Sequence, residues 1–131
     1  MTLEKRNPPG LPTPTGYSQV VIATGSRMVF VAGQVALDGE GNLVAPGDVV
    51  GQARQAFANL RTAVEAAGAA IDDVAKITWY VIGYRPEWLP QLAAARRELM
   101  GAHAPASTLV GVSALVQPEY LVEVEGVAVV S

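Results

Sequence analysis

The chain has 131 residues, half of them apolar and only 16% charged, with a formal net charge of −3. That length fits a single domain spanning residues 1–131, which buries roughly two-thirds of its unfolded surface. Without cysteine, it can hold no disulfide framework, thiol nucleophile or thiolate metal site. The nine basic residues are scattered, whereas nucleic-acid phosphates need clustered cations, so nucleic acid is not an expected partner. No apolar run reaches the ~20 residues of a membrane span, and the start lacks the apolar stretch of a signal peptide. The expected location is the cytoplasm. A charge fraction below the ~25% of ordinary soluble domains predicts apolar surface buried between subunits.

Residues 1–15 read as an extended arm, because Pro8, Pro9, Pro12 and Pro14 fix φ and remove donors. Gln19 to Thr24 and Met28 to Val35 are apolar, β-branched runs around the turn residues Thr24-Gly25-Ser26-Arg27, the pattern of a hairpin. Asp38-Gly39-Glu40-Gly41-Asn42 is a loop. Its alternating oxygens imitate the start of a calcium loop, but Val49 stands where the closing glutamate is required. No other metal-ligand spacing is present, and no cofactor motif.

Asp48 is the expected N-cap of a long helix. Its apolar residues at 49, 53, 56, 57, 60, 63, 64 and 67 follow the helical i, i+3, i+4 stripe. Gln52, Gln55 and Asn59 fall on the other side, and Gly68 fits the C′ position. Val74 to Ile82 is a strand. A second helix runs from Pro90 to Met100 and stops at Gly101. Ser107 to Val112 and Leu121 to Val130 are the last strands. In the latter, Val122, Val124, Gly126, Ala128 and Val130 share one face, and Glu123, Glu125, Val127 and Val129 the other.

The order ββαβαββ is that of an α+β two-layer sandwich, a mixed sheet with two helices on one face. The other sheet face, rich in valine, needs a partner.

Several motifs in order resemble the RidA/YjgF family of reactive-intermediate (enamine/imine) deaminases. Gly16-Tyr17-Ser18-Gln19 is similar to the family's Gly-Pro-Tyr-x-Gln, and Ala32-Gly33-Gln34 to its Ser-Gly-Gln. Pro105-Ala106-Ser107-Thr108 is similar to its Pro-Ala-Arg-Ser, and Glu123-Val124-Glu125 to its Glu-x-Glu strand. The resemblance implies a homotrimer with helices outside and three clefts between subunits. It also implies hydrolysis of 2-imino acids, in which an arginine clamps the substrate carboxylate, a tyrosine lines the cleft and a glutamate orients the water.

Matched residue by residue, the tyrosine is Tyr17 and the glutamate Glu123, the two catalytic candidates. Ser107, Thr108, Ala32 and Gly33 are the substrate-binding candidates. The arginine's position holds Ser107, whose hydroxyl can neither fork two parallel bonds nor neutralise a carboxylate. The family's second-helix asparagine has its nearest counterpart around Gln91. The expected function is therefore binding of a small polar metabolite in the clefts without 2-imino acid deaminase activity. The alternative is an imine/enamine hydrolase with altered substrate scope or another anchor. Two features read as solvated surface: the lone His103, in a loop, and the Arg96-Arg97 pair on the second helix. A cation pointing into the cleft would separate the two functional readings.

Overall fold

The computed structural model describes residues 2–131; Met1, the first residue of the expected arm, lies outside them. The elements are β1 (Thr2–Arg6), β2 (Val20–Thr24), β3 (Arg27–Gln34), α1 (Val49–Ala66), β4 (Val74–Ile82), α2 (Leu89–Met100), β5 (Ala106–Val112) and β6 (Val122–Val130). Four strands form one mixed sheet in the order β3-β6-β4-β5, with β4 and β5 parallel and the other pairs antiparallel. Both helices pack on one face of it, giving the α+β arrangement.

The hairpin expected between residues 19–24 and 28–35 is not formed. β2 pairs instead with β1, from Thr2↔Thr24 to Arg6↔Val20, while β3 pairs with β6. The segment 24–27 passes from the two-stranded ribbon to the main sheet. There the Ser26 N–H bonds the Val130 carbonyl at 3.0 Å, and a Cβ on Gly25 would lie 2.7 Å from that same oxygen. Apolar patterning marked both strands, but it carries no information on which neighbour each would choose. The extended start of the chain is thus a paired strand as far as Arg6.

Helix α1 begins and ends as its sequence dictates. The Asp48 carboxylate accepts from the Gly51 N–H at 3.0 Å. At the other end Gly68, at φ +81°, closes a Schellman motif: Ala69 N–H to Val64 O and Gly68 N–H to Glu65 O, both 3.0 Å. Ala53, Ala56, Phe57, Leu60 and Val64 are fully buried against β4 and β6, and Phe57 meets Trp79 edge-on at 5.2 Å.

Gln52, placed by periodicity on the polar side, is also fully buried. Its amide donates to the carbonyls of Ala45 and Glu119 and accepts from Leu121 N–H at 2.8 Å. Asn59 likewise donates to the carbonyls of Val35 and Leu37, both at 2.9 Å. These amides satisfy loop backbone that the helix covers, which is why polar residues are stable there.

The face of β6 carrying Val122, Val124, Gly126, Ala128 and Val130 is the helix-covered one. The opposite face is less uniformly apolar than the valines suggested. Met28 and Phe30 are 61% and 73% exposed on it, beside Lys76, Thr78, Tyr80, Glu123 and Glu125.

Candidate functional site

The segment Gly16-Tyr17-Ser18-Gln19 is fastened to the start of β5. The Ser18 hydroxyl donates to the Ala104 carbonyl at 2.6 Å, and its N–H bonds Pro105 O at 3.1 Å. Gln19 holds the proline-rich stretch, its amide donating to Pro12 O at 2.9 Å and its N–H to the Asn7 side chain at 2.8 Å. Gly16 turns at φ +77°, a conformation glycine adopts without steric cost. Tyr17 is thereby set at the rim of a cavity of ≈ 250 Å³ on the helix side of the sheet.

Ser107 lines the same cavity. It is the register partner of Ile77, a fully buried helix-side residue, so its hydroxyl lies on that side too. Trp79 and Leu109 continue the wall, and Tyr84 and Arg96 close it from the α2 side.

Arg96 is not on a solvated helix face, as its sequence context suggested; it is 5% exposed. It falls in the buried stripe of α2 with Leu92, Ala95 and Met100. Its Nη1 donates to the His103 carbonyl at 2.9 Å. Its Nη2 lies 3.3 Å from the point where a Cβ on Gly16 would stand. Desolvation, and secondarily the neighbouring Arg97, push its pKa below the ordinary arginine value.

His103, also expected in solvent, is buried, with its Nε2 2.7 Å from the Val74 carbonyl oxygen. Burial holds its imidazole below the usual histidine pKa. It is a structural link between the loop and β4.

The remaining candidates stand elsewhere. Glu123 is the register partner of Tyr80 on the open face. It lies over Gly33, where a Cβ would come within 1.8 Å of its Oε2. Only glycine admits the carboxylate so close to the β3 backbone, at the irregularity between Val31 and Gln34. Glu123 accepts no hydrogen bond from any described residue.

Ala32 lines a second, open-face cavity with Phe30, Lys76 and Glu125. Thr108 also faces this side and accepts from Lys76 Nζ at 2.7 Å. Tyr80 donates to the Glu125 carboxylate, a bond that pushes the phenol pKa up.

Within one chain the candidates therefore form two groups on opposite sheet faces: Tyr17 with Ser107 on the helix side, and Gly33, Glu123, Ala32 and Thr108 on the open side. Among the described residues there is no cluster suited to a metal ion. The Asp38 carboxylate is engaged by its own loop, accepting from Glu40 and Asn42 N–H at 2.9 Å, which holds its pKa down. No helix among the described residues is long and apolar enough to cross a membrane.

Arg96, Trp79 and Tyr84 were not singled out as site residues by the sequence. The available signal for Arg96 was its place four residues from both Leu92 and Met100, a charge inside an apolar stripe.

A mixed sheet with both helices on one face is an α+β architecture, here with a small cavity where β5 meets the chain's opening segment. The family model described as Endoribonuclease L-PSP, that of RidA/YjgF proteins, matches residues 10–130. The chain belongs to this family. It is 33% identical over 118 residues to a RutC family protein of Pyrococcus horikoshii, covering 89% of this chain and 90% of that one. It is 31% identical to a 2-iminobutanoate/2-iminopropanoate deaminase of Dermatophagoides farinae, covering 93% and 92%. A Rid-family protein of unknown function from Yersinia pestis, YyfB, superposes with TM-score 0.92 at 34% identity over 99% and 100% of the two chains. Escherichia coli TdcF, solved with bound serine, gives TM-score 0.69 at 29% identity over 100% and 99%.

Proposed function

We propose that this chain is a single-domain cytoplasmic protein that assembles as a homotrimer and binds a small polar metabolite in clefts between its copies. In each cleft the Tyr17–Ser107 edge of one copy faces the Gly33–Glu123 edge of the next. Two observations support the assembly. Each half of the candidate site is incomplete alone, and the open sheet face leaves Met28 and Phe30 largely exposed, an apolar surface of the kind subunit contacts cover.

The observation that carries the function is the cavity beside Tyr17, with a serine at the strand position where the resemblance implies a carboxylate clamp. On this reading the protein binds its ligand without deaminating 2-imino acids. The second reading, an imine or enamine hydrolase of altered scope, is favoured by Glu123. Its carboxylate is held over Gly33, accepts no hydrogen bond from a described residue, and is thus available to orient a water.

Light scattering at micromolar concentration tests the assembly. The expected mass is three times the 13.7 kDa chain, and a single-chain mass would remove the intersubunit site.

The activity is tested with iminopyruvate generated in situ, which the wild-type protein is expected to hydrolyse no faster than buffer. Glu123→Gln is expected to alter binding of small metabolites far more than the melting temperature. Robust wild-type turnover would establish the hydrolase reading instead. An unaltered binding profile in Glu123→Gln would show that residue to be ordinary solvated strand surface.

A further inference from the structure

Among the described residues, Arg96 is a buried cation without a counter-ion. Among the described residues no carboxylate pairs with it; the three ion pairs lie elsewhere and are exposed. A guanidinium presents five N–H donors, and one protein bond, to His103 O, is formed. No fully buried side-chain nitrogen or oxygen among the described residues lacks a partner. The rest of the fork is therefore not sealed in apolar packing, and Arg96 is among the residues that line the cavity. Removing a charge from water costs several kcal/mol unless an opposite charge replaces the lost hydration.

The cavity has a defined chemistry. Arg96 is the one charged side chain among the residues lining it; Trp79 and Leu109 give apolar wall, and Tyr17 and Ser107 give hydroxyls. A volume of ≈ 250 Å³ admits an acid of a few carbons. A single positive charge balances a monoanion; a phosphate dianion would need a second cation that this cavity does not contain. A planar fork matches a carboxylate with two parallel bonds.

We propose that Arg96 is the anion anchor of this cavity, holding the carboxylate of a small organic acid from the α2 side. The charge that position 107 lacks is supplied by a different element, which sets the ligand in a different pose relative to β5. This inference rests on the metabolite-cleft reading above and names the ligand class for it. A carboxylate anchored at the helix wall is bound tightly, yet not at the strand edge where the neighbouring copy's Glu123 would direct water.

Calorimetric titration of the assembled protein with 2-oxobutanoate and with its amide, 2-oxobutanamide, tests the assignment. Wild type is expected to bind the carboxylate at least ~10-fold more tightly than the amide, the lower end expected for hydrogen bonds to a charged group. Arg96→Met is expected to lose ~10- to 100-fold in carboxylate affinity with amide binding unchanged. Arg96→Lys, which keeps the charge and loses the fork, is expected to retain part of the preference. Full carboxylate affinity in a folded Arg96→Met variant would overturn the anchor while leaving the cleft intact. If Arg96→Met does not fold, Arg96→Lys decides, and an unchanged carboxylate-to-amide ratio overturns the anchor. A wild type that binds neither compound removes the cleft reading and the anchor with it. Tighter binding of inorganic phosphate than of 2-oxobutanoate would overturn the carboxylate assignment.

Discussion

Moving the guanidinium from α2 to β5, by Arg96→Leu combined with Ser107→Arg, is expected to raise iminopyruvate hydrolysis from the buffer rate to a clear excess, ~10- to 100-fold. That range corresponds to the ~1.5–3 kcal/mol of a hydrogen bond to a charged group. The two positions line one cavity, so a side chain at 107 reaches the same space from the strand edge. Ser107→Arg alone is expected to give a smaller gain. It would place a second guanidinium beside one that already lacks a counter-ion, and two like charges ~4 Å apart repel by about 4 kcal/mol at an effective dielectric constant of 20. Ammonia release in a coupled assay, with ligand titration to confirm binding, reads both variants. Suppose the double variant folds and binds 2-oxobutanoate but stays at the buffer rate. Then the residue at 107 does not account for the absence of hydrolysis that the metabolite-binding proposal expects, and Ala32, where the resemblance implies a serine, or the second-helix position becomes the next candidate.

Phe57→Ala is expected to cost about 3–5 kcal/mol, the range for emptying an aromatic site in a core. Phe57 is fully buried, and its ring stands edge-on to Trp79 at 5.2 Å and 77°, a geometry worth about 0.5–1.5 kcal/mol beyond burial. Against a total stability of ~5–15 kcal/mol for a domain, the loss is a large share. Trp79 also forms wall of the Arg96 cavity, so ligand affinity is expected to fall with stability. Urea unfolding followed by Trp fluorescence measures the first effect and calorimetry the second. A stability loss under 1 kcal/mol would mean that α1 and β4 do not meet as described.

The asymmetry of α2 explains why its chemistry was hard to read. Leu92, Ala95 and Met100 mark a buried stripe, and Arg96 lies within it. Read alone, an Arg-Arg pair on a helix is a solvated face, because arginine is rarely buried without a partner. The local pattern cannot show that the chain's opening segment, 80 residues earlier, leaves a space at Gly16 for the guanidinium to enter. Gln52 gives the same lesson in a neutral form. Its burial depends on carbonyls at Ala45 and Glu119, the latter 67 residues away.

The elements governed by local physics were legible from the sequence itself. The Asp48 cap, the Gly68 turn, β4 from Val74 to Ile82 and the inward face of β6 follow from capping geometry and from periods of 3.6 and 2. So did the α+β class and the family, which rest on the order of elements and motifs. Pairing and proximity were decided only by the tertiary structure. It joined β2 to β1 instead of β3, because register and neighbour choice depend on contacts between distant segments. It set Tyr17 with Ser107 on one sheet face and Glu123 over Gly33 on the other, because a strand's alternation fixes which residues share a face but not what covers that face. And it placed the cavity's cation on α2, because a charge can be buried wherever the rest of the fold leaves it room and access to an anion.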